Sequence, residues 1–289
     1  VVGGQVWWDV CVCFSRLPRP RGLAARALPG AFAGAAVDVL HVLDRAERGS
    51  GPGLDLSGSV GLGASEALLE QLTKADEARA QAAQAHGRAM LDGARARLQA
   101  AGVAEVNLVH RHGEVAETLI ELENDADLVI IGKRGESQNF AEGHLGAKVE
   151  RVVRASIRPV LVAPRVFMPI TRVVAAYDGG ASATKALDHV LQSPVFAGIE
   201  VVVAIVGEPG AQRDARVQAA QGLLAGRPAA SVKALEGDVE AALKGELRQG
   251  QGDLLVMGAY GHSRIRDLIV GSTTTAMIRT GKVPALLFR

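Results

Sequence analysis

Two copies of one strand-and-glycine pattern constrain the fold of this 289-residue chain more than any other feature. Residues 127–135 match residues 253–261, because each segment has an aspartate, an apolar run and two glycines separated by two residues. Residues 113–115 are echoed at 237–239, and residues 154–163 are echoed at 279–288. The members of each pair lie about 125 residues apart, which is close to the typical length of one domain. The sequence therefore predicts two copies of one fold, at residues 1–165 and 170–289.

Composition and charge exclude several classes of partner. No apolar run approaches the roughly 20 residues that a membrane helix needs, so we expect no membrane span. The 32 basic and 31 acidic residues nearly cancel, which argues against a nucleic-acid partner. The two cysteines, Cys11 and Cys13, are not followed by a Cys/His pair that would complete a metal site, and no secretion signal precedes them. We therefore expect a cytoplasmic protein without a metal centre.

The second copy alternates strands and helices. Apolar runs predict five strands, and the segments between them predict four helices. The strands are expected at 173–177, 200–206, 231–235, 254–257 and 284–288, and the helices at 182–191, 212–224, 239–249 and 273–280. Continuously apolar strands separated by helices indicate a parallel sheet that is covered on both faces. The pattern predicts a doubly wound α/β unit.

The glycine loop of the second copy has the features of a phosphate site. Gly258 and Gly261 are separated by two residues, and Gly271 follows after nine more, directly before Ser272 and Thr273. Glycines let the backbone approach a ligand closely, and the N-terminus of the following helix presents N–H groups and a partial positive charge. The loop is therefore predicted to bind an anion.

An acidic residue belongs to the same predicted edge. Asp178 follows the first strand of the second copy, and in doubly wound sheets ligands bind beyond the carboxyl ends of the strands. A carboxylate there can accept hydrogen bonds from a ribose hydroxyl or a base amine, so the two features outline a nucleotide. The loop lacks the Lys-Ser/Thr pair of a Walker A sequence, and we identify no catalytic residue. His262 is either a proton carrier near a γ-phosphate or a solvent-facing loop residue.

With these motifs, the second copy resembles a universal stress protein domain. The first copy is similar to the leading half of tandem universal stress proteins, and the resemblance covers the chain from about residue 37 onward. It implies an α/β fold of two tandem doubly wound, five-stranded, mainly parallel sheets, as in adenine nucleotide alpha-hydrolase-like proteins. It also implies ATP or AMP as the ligand, with or without magnesium. The residues that the resemblance assigns to the nucleotide are Asp178, Gly179, Val203, Val206, Gly258, Gly261, His262, Gly271, Ser272 and Thr273.

The first copy departs from this pattern at its loop. Ten residues rather than nine separate Gly135 from Gly146, and Ala147 and Lys148 stand where hydroxyl side chains are expected. The change removes a neutral phosphate donor and a helix-capping oxygen. Three basic residues could still attract an anion: Lys133, Arg134 and Lys148.

The start of the first copy is unusual as well. No stretch before residue 37 resembles a first strand that ends in an acidic residue, and we expect an atypical N-terminal strand. Residues 1–34 are a divergent strand at 6–14, an altered or mis-specified start, or a disordered tail; we favour the altered start. The glycine-rich stretch at 44–64 is a lid or partner-binding loop, or else a flexible surface excursion, with the excursion preferred. Ser65 is predicted to cap a long helix that ends near residue 101.

These features predict a nucleotide-binding stress-response regulator that acts through a conformational change or a protein partner. A nucleotide-independent interaction scaffold is the alternative, and a slow ATPase or adenylate-forming enzyme is a weaker one. Apolar sheet edges tend to be paired, and relatives in this family pair their closing strands. We therefore expect residues 160–163 and 285–288 to form an internal pseudo-dimer, with a further homodimer left open.

Overall fold

The two repeats fold into strands and helices that alternate along the chain. A computed structural model describes residues 10–14, 36–43, 62–133, 147–164, 168–259 and 272–289. The first half contains β1 (Val10–Phe14), β2 (Ala36–Leu43), α1 (Leu62–Ala100), β3 (Glu105–His112), α2 (Val115–Leu122), β4 (Leu128–Gly132), α3 (Ala147–Ala155) and β5 (Val160–Ala163). The second half contains β6 (Arg172–Ala176), α4 (Ala181–Gln192), β7 (Glu200–Val206), α5 (Ala211–Leu223), β8 (Ala230–Leu235), α6 (Val239–Glu246), β9 (Asp253–Gly258), α7 (Ser272–Thr280) and β10 (Ala285–Phe288).

All ten strands of the described residues join in one sheet, in the order β3-β2-β1-β4-β5-β10-β9-β6-β7-β8. Every neighbouring pair within the second half is parallel, which confirms the predicted doubly wound α/β class. The closing strands β5 and β10 pair antiparallel, with Leu286 opposite Leu161. The five-stranded sheets of the two halves are therefore continuous with each other through this pair.

Strand β1 runs in the opposite direction to its two neighbours in the sheet. β1 lies between β2 and β4 and is antiparallel to both. A strand therefore occupies the central position for which the sequence offered no matching segment, and it is atypical, as expected. The strand at Val10–Phe14 lies within the predicted divergent strand at 6–14, and the altered start stays a prediction. Because β1 enters the sheet at the edge where β2 and β4 end, its carboxyl end lies at the opposite edge.

Helices cover both faces of the sheet. Three groups of buried apolar side chains form the core, and the largest runs across both halves on one face, from Leu40 and Val152 to Leu255 and Met277. On the other face, the core of the second half lies beneath α4 and α5, and that of the first half lies beneath α1. In the described parts of the chain, no helix is long and apolar enough to cross a membrane.

A glycine-acid-valine sequence starts a helix in each half. Asp238 accepts a hydrogen bond from the N–H of Ala241 at 3.0 Å, and Glu114 does the same for Glu117 at 3.0 Å. Each acid satisfies an N–H group that the first helical turn leaves open. The predicted cap at Ser65 is wrong, because α1 already begins at Leu62 and Ser65 therefore lies within the helix rather than before it.

A buried ion cluster joins the amino ends of the strands in the second half. Arg172 is 4% exposed, and its Nη1 donates to Asp253 Oδ2 at 2.9 Å and to the carbonyl of Glu246 at 3.1 Å. The Glu246 carboxylate also pairs with Arg172 and with Lys233, whose Nζ lies 2.9 Å from Oε1. Burial alone would raise the pKa of Glu246, but hydrogen bonds from Lys233 and Arg172 outweigh it and hold the pKa below 4.5.

We expect Glu246→Gln to lower the free energy of unfolding by about 2 kcal/mol at neutral pH, because it removes the negative charge that strengthens the hydrogen bonds from Arg172 and Lys233. A lowered carboxylate pKa contributes stability above the unfolded-state pKa, and that stability is lost as pH falls through the folded-state value. The difference between wild type and variant should therefore shrink below pH 4.5. Urea unfolding at several pH values measures it, with Glu240→Gln on the same helix as the control. A difference that is constant with pH would contradict the assignment.

Candidate functional site

Three strand ends meet at the carboxyl edge of the second half. β6 is flanked by β7 on one side and β9 on the other, so the strand order reverses between β6 and β9. Continued past the last paired residues, the register sets Asp178 level with Val206 and Tyr177 level with Gly258. A crevice at such a reversal is the usual ligand position in a doubly wound sheet.

Asp178 sits in a turn between β6 and α4. Its Oδ1 accepts a hydrogen bond from the N–H of Gly180 at 2.8 Å, and its side chain is half-buried. Gly179 has a φ of +81°, a conformation that favours glycine. Gly180 then begins α4 without a side-chain cap. The turn therefore fixes the carboxylate at the edge, directly before a helix N-terminus.

Gly258 allows the first turn of α4 to approach the end of β9. A Cβ atom at this position would overlap the Ser182 hydroxyl and lie 3.1 Å from the backbone nitrogen of Ala183. A larger residue would require the Ser182 side chain to move and the backbone at Ala183 to shift by a few tenths of an ångström. Packing between β9 and α4 therefore favours a glycine as the first residue of the motif.

Thr274 ties the start of α7 to the same strand end. Its side chain is 3% exposed, and its Oγ1 donates to the carbonyl of Gly258 at 3.2 Å. Ser272, the first residue of α7, is exposed, and Thr273 is half-buried. The hydrogen bond therefore holds two more hydroxyl-bearing residues and a helix N-terminus beside the end of β9.

Removing the Thr274 hydroxyl should weaken the attachment of α7 to the end of β9. We expect Thr274→Val to lower the free energy of unfolding by about 1–2 kcal/mol, because the variant leaves the Gly258 carbonyl without this donor. Thr280→Val is the matched control, since Thr280 lies on the same helix, is exposed and donates to the carbonyl of Ala276 at 2.7 Å. Chemical denaturation compares the two, and equal losses would argue against a special role for Thr274.

The predicted site residues divide into three groups. Asp178, Gly179, Val206 and Gly258 lie at one edge, and Thr274 holds the start of α7 there with Ser272 and Thr273. Val203 instead lies inside β7, fully buried and flanked by ladder partners on both sides, Ala175 and Val232. Three predicted residues lie outside the described residues: Gly261, His262 and Gly271.

Two arginines of α5 border this edge and were not identified from the sequence. Arg213 Nη1 donates to the carbonyl of Gly207, just after β7, at 3.4 Å and pairs with Glu236 at 3.2 Å. Arg216 places its Cγ 3.6 Å from the position that a Cβ on Gly179 would take. Their three-residue spacing on a helix that follows β7 was the available signal, since it puts both on one helical face.

The corresponding edge of the first half is built differently. Lys133, which follows β4, donates from Nζ to the carbonyl of Gly281 at 2.6 Å, so its ammonium contacts the end of α7. Arg134 and the loop up to Gly146 lie outside the described residues, and Lys148 is half-buried on α3. No group of three or more His, Cys, Asp or Glu side chains within the described ranges could hold a metal ion.

Comparison with known proteins identifies the family. The universal stress protein family profile matches residues 10–164 and 169–289, that is, both halves. The universal stress protein Slr1230 of Synechocystis sp. is 39% identical over 260 residues, which cover 89% of this chain and 90% of that protein.

Solved structures agree on the fold. A universal stress protein from Archaeoglobus fulgidus is 21% identical, with a TM-score of 0.57 over 87% of this chain and 85% of that one. A putative universal stress protein from Pseudomonas aeruginosa is 15% identical, with a TM-score of 0.53 over 70% and 77% of the two chains. The profile match to both halves and the similarity to Slr1230 together show that this chain belongs to the universal stress protein family.

Proposed function

We propose that the second half binds one adenine nucleotide, ATP or AMP, at the carboxyl edge between β6 and β9. The observation that carries the proposal is the convergence of Asp178, Gly258 and the N-terminus of α7 at the point where strand order reverses. A carboxylate suits a ribose or a base, whereas glycine backbone, hydroxyls and a helix N-terminus suit phosphates.

The residues present fit such a ligand. Asp178 uses Oδ1 for the turn, and its half-exposed carboxylate can also accept a hydrogen bond from a nucleoside. The backbone at the end of β7, near Val206, is level with this carboxylate and would contact the base. Ser272 and Thr273 would donate to the phosphates together with the loop glycines Gly261 and Gly271, and His262 would lie among them. Magnesium, when bound, would be carried by the phosphate oxygens, since Mg²⁺ at nucleotide sites is held largely by phosphate.

The site is suited to holding a nucleotide rather than turning it over. The sequence has no Walker lysine after its glycines, and we assign no residue as a base for an attacking water. Bound nucleotide would thus stabilise one conformation of the protein relative to others, by its difference in affinity for them. We propose a cytosolic stress-response regulator whose output is this shape or a protein partner, with at most slow ATP hydrolysis.

The direct experiment is to purify the full chain, denature it and identify the released nucleotide. We expect about one adenine nucleotide per chain. A Ser272→Ala/Thr273→Val double variant should release far less, whereas Lys148→Ala in the first half should release as much as wild type. A chain that carries no nucleotide, and takes up none from added ATP, would instead favour the interaction scaffold. Steady multiple-turnover phosphate release would favour the ATPase.

A further inference from the structure

A cavity of about 460 Å³ lies in the first half, between α1 and the edge strand β3. Helix residues at i, i+4, i+7 and i+8 line one side, and alternate residues of the strand line the other, so each element turns one face to the cavity. The polar lining consists of Gln84, Arg88, Asp92, His110 and His112. Its volume is within the range of small-molecule pockets.

A pair of histidines packs beside this cavity under a glycine of α1. His41 and His110 are cross-strand neighbours whose rings meet edge to face at 5.1 Å. A Cβ on Gly87 would lie 2.8 Å from ring atoms of both, so only glycine leaves room for them. At the same place in β7 and β8 the neighbours are Ile205 and Ala234, which shows that the fold itself does not require histidines here.

The charged donor in the cavity lining is Arg88. Arg88 is exposed and forms no ion pair within the described parts of the chain, and the cation nearest to Asp92 there is Arg95 at 3.9 Å. Burial, together with the charges of His112 and Arg88, lowers the pKa of His110 and therefore favours its neutral ring. The buried Nε2 of that ring has no hydrogen-bond partner among the described residues.

Apolar side chains complete the lining. Leu91 and Leu108 contribute hydrophobic surface to the cavity that Arg88 also lines. An arginine beside further hydrogen-bond donors and leucines suits a carboxylate that carries an apolar body, whereas Asp92 disfavours a compact dianion such as phosphate. Metal binding is not supported, since the described residues contain no suitable cluster.

We propose that this cavity binds a small organic carboxylate, with Arg88 as the charged anchor and Gln84 and His112 as additional donors. The site is independent of the proposed nucleotide site, because β3 is the outermost strand of the first half and five strands lie between it and β9. The two halves of the chain would then bind chemically different ligands.

Benzoate is the probe, because it joins a carboxylate to an apolar ring. Titration of the full chain, followed by the imidazole NMR signals of His110 and His112, should give saturable shifts with a Kd of about 1 mM. Benzamide, the neutral isostere, should shift them at least about tenfold more weakly, and so should inorganic phosphate. Arg88→Met should weaken benzoate binding by about tenfold or more, since it removes a charge-assisted contact. Arg79→Met is the control, because Arg79 is an exposed residue of α1 outside the cavity.

A second variant tests the location without changing charge. Leu108→Trp should fill the cavity and abolish the benzoate shifts while leaving the imidazole signals of a folded chain. The proposal is overturned if wild type gives no saturable shift, if benzamide or phosphate binds as tightly as benzoate, or if neither Arg88→Met nor Leu108→Trp weakens binding more than Arg79→Met does.

Discussion

Replacing Asp178 with alanine is expected to weaken ATP binding by about 100-fold. The substitution removes the carboxylate that would accept hydrogen bonds from the nucleoside, each worth about 1.5–3 kcal/mol when one partner is charged. It also removes the acceptor for the N–H of Gly180, which lies 2.8 Å from Oδ1 and shapes the turn before α4. Calorimetric titration of nucleotide-free protein gives the dissociation constants.

A graded series separates these two effects. Asp178→Asn keeps an oxygen for the N–H of Gly180 but loses the charge, so we expect about a tenfold loss rather than 100-fold. Asp188→Ala on α4 is the matched control, since it removes an aspartate well past the first turn of that helix. Unchanged affinity in Asp178→Ala, with an unaltered melting temperature, would remove Asp178 from the site.

Arg172→Met should lower the free energy of unfolding by about 3–5 kcal/mol, which is the typical loss when one partner of a buried ion pair is removed. Arg172 is 4% exposed, and the Asp253 carboxylate that it contacts is fully buried. Methionine retains much of the apolar volume but leaves Asp253 without its buried cation. Urea denaturation monitored by circular dichroism measures the loss.

Arg248→Met is the control, because Arg248 lies near two of the same acidic residues, Asp253 and Glu200, but is more exposed than Arg172. Arg248 Nη2 lies 3.4 Å from Asp253 Oδ1 and 3.4 Å from Glu200 Oε2, but its side chain is 45% exposed. Solvent screening should limit its loss to below about 1 kcal/mol. Adding Asp253→Asn to Arg172→Met should recover part of the stability, because the buried negative charge is then gone. If Arg248→Met were as costly as Arg172→Met, burial would not be the cause.

The strands of the second half could be predicted closely because their signal is local. β7 was predicted at residues 200–206 and is found there, since a continuous run of β-branched and apolar residues is buried on both faces. α6 was predicted to continue to residue 249 but ends at Glu246. The reason is tertiary: the N–H of Arg248 donates to Asp253 Oδ2 at 2.7 Å and is therefore unavailable to a longer helix.

The direction of β1 and the contacts around the site could not be predicted. Nothing in the composition of residues 10–14 specifies that β1 runs antiparallel to β2 and β4, because strand direction depends on how the chain enters the sheet. Contacts between residues of the candidate site could not be predicted either. Asp178 and Gly258 stood out by their position after apolar runs, whereas the approach of Ser182 to Gly258 and the hydrogen bond from Thr274 depend on helix placement.

The two halves also differ at the carboxyl edges of their sheets, although their sequences share one pattern. The second half brings an acid, a glycine and hydroxyls to one edge, whereas the first has a reversed strand there and its Lys133 contacts the end of α7. A single nucleotide per chain is therefore the expectation, despite two matching segments of one family.

The most direct test of this account is the stoichiometry of ATP binding to the nucleotide-free full chain, measured by isothermal titration calorimetry with magnesium present. We expect one ATP site per chain. Two equivalent sites would contradict the asymmetry between the halves, and the absence of binding would contradict the nucleotide site itself.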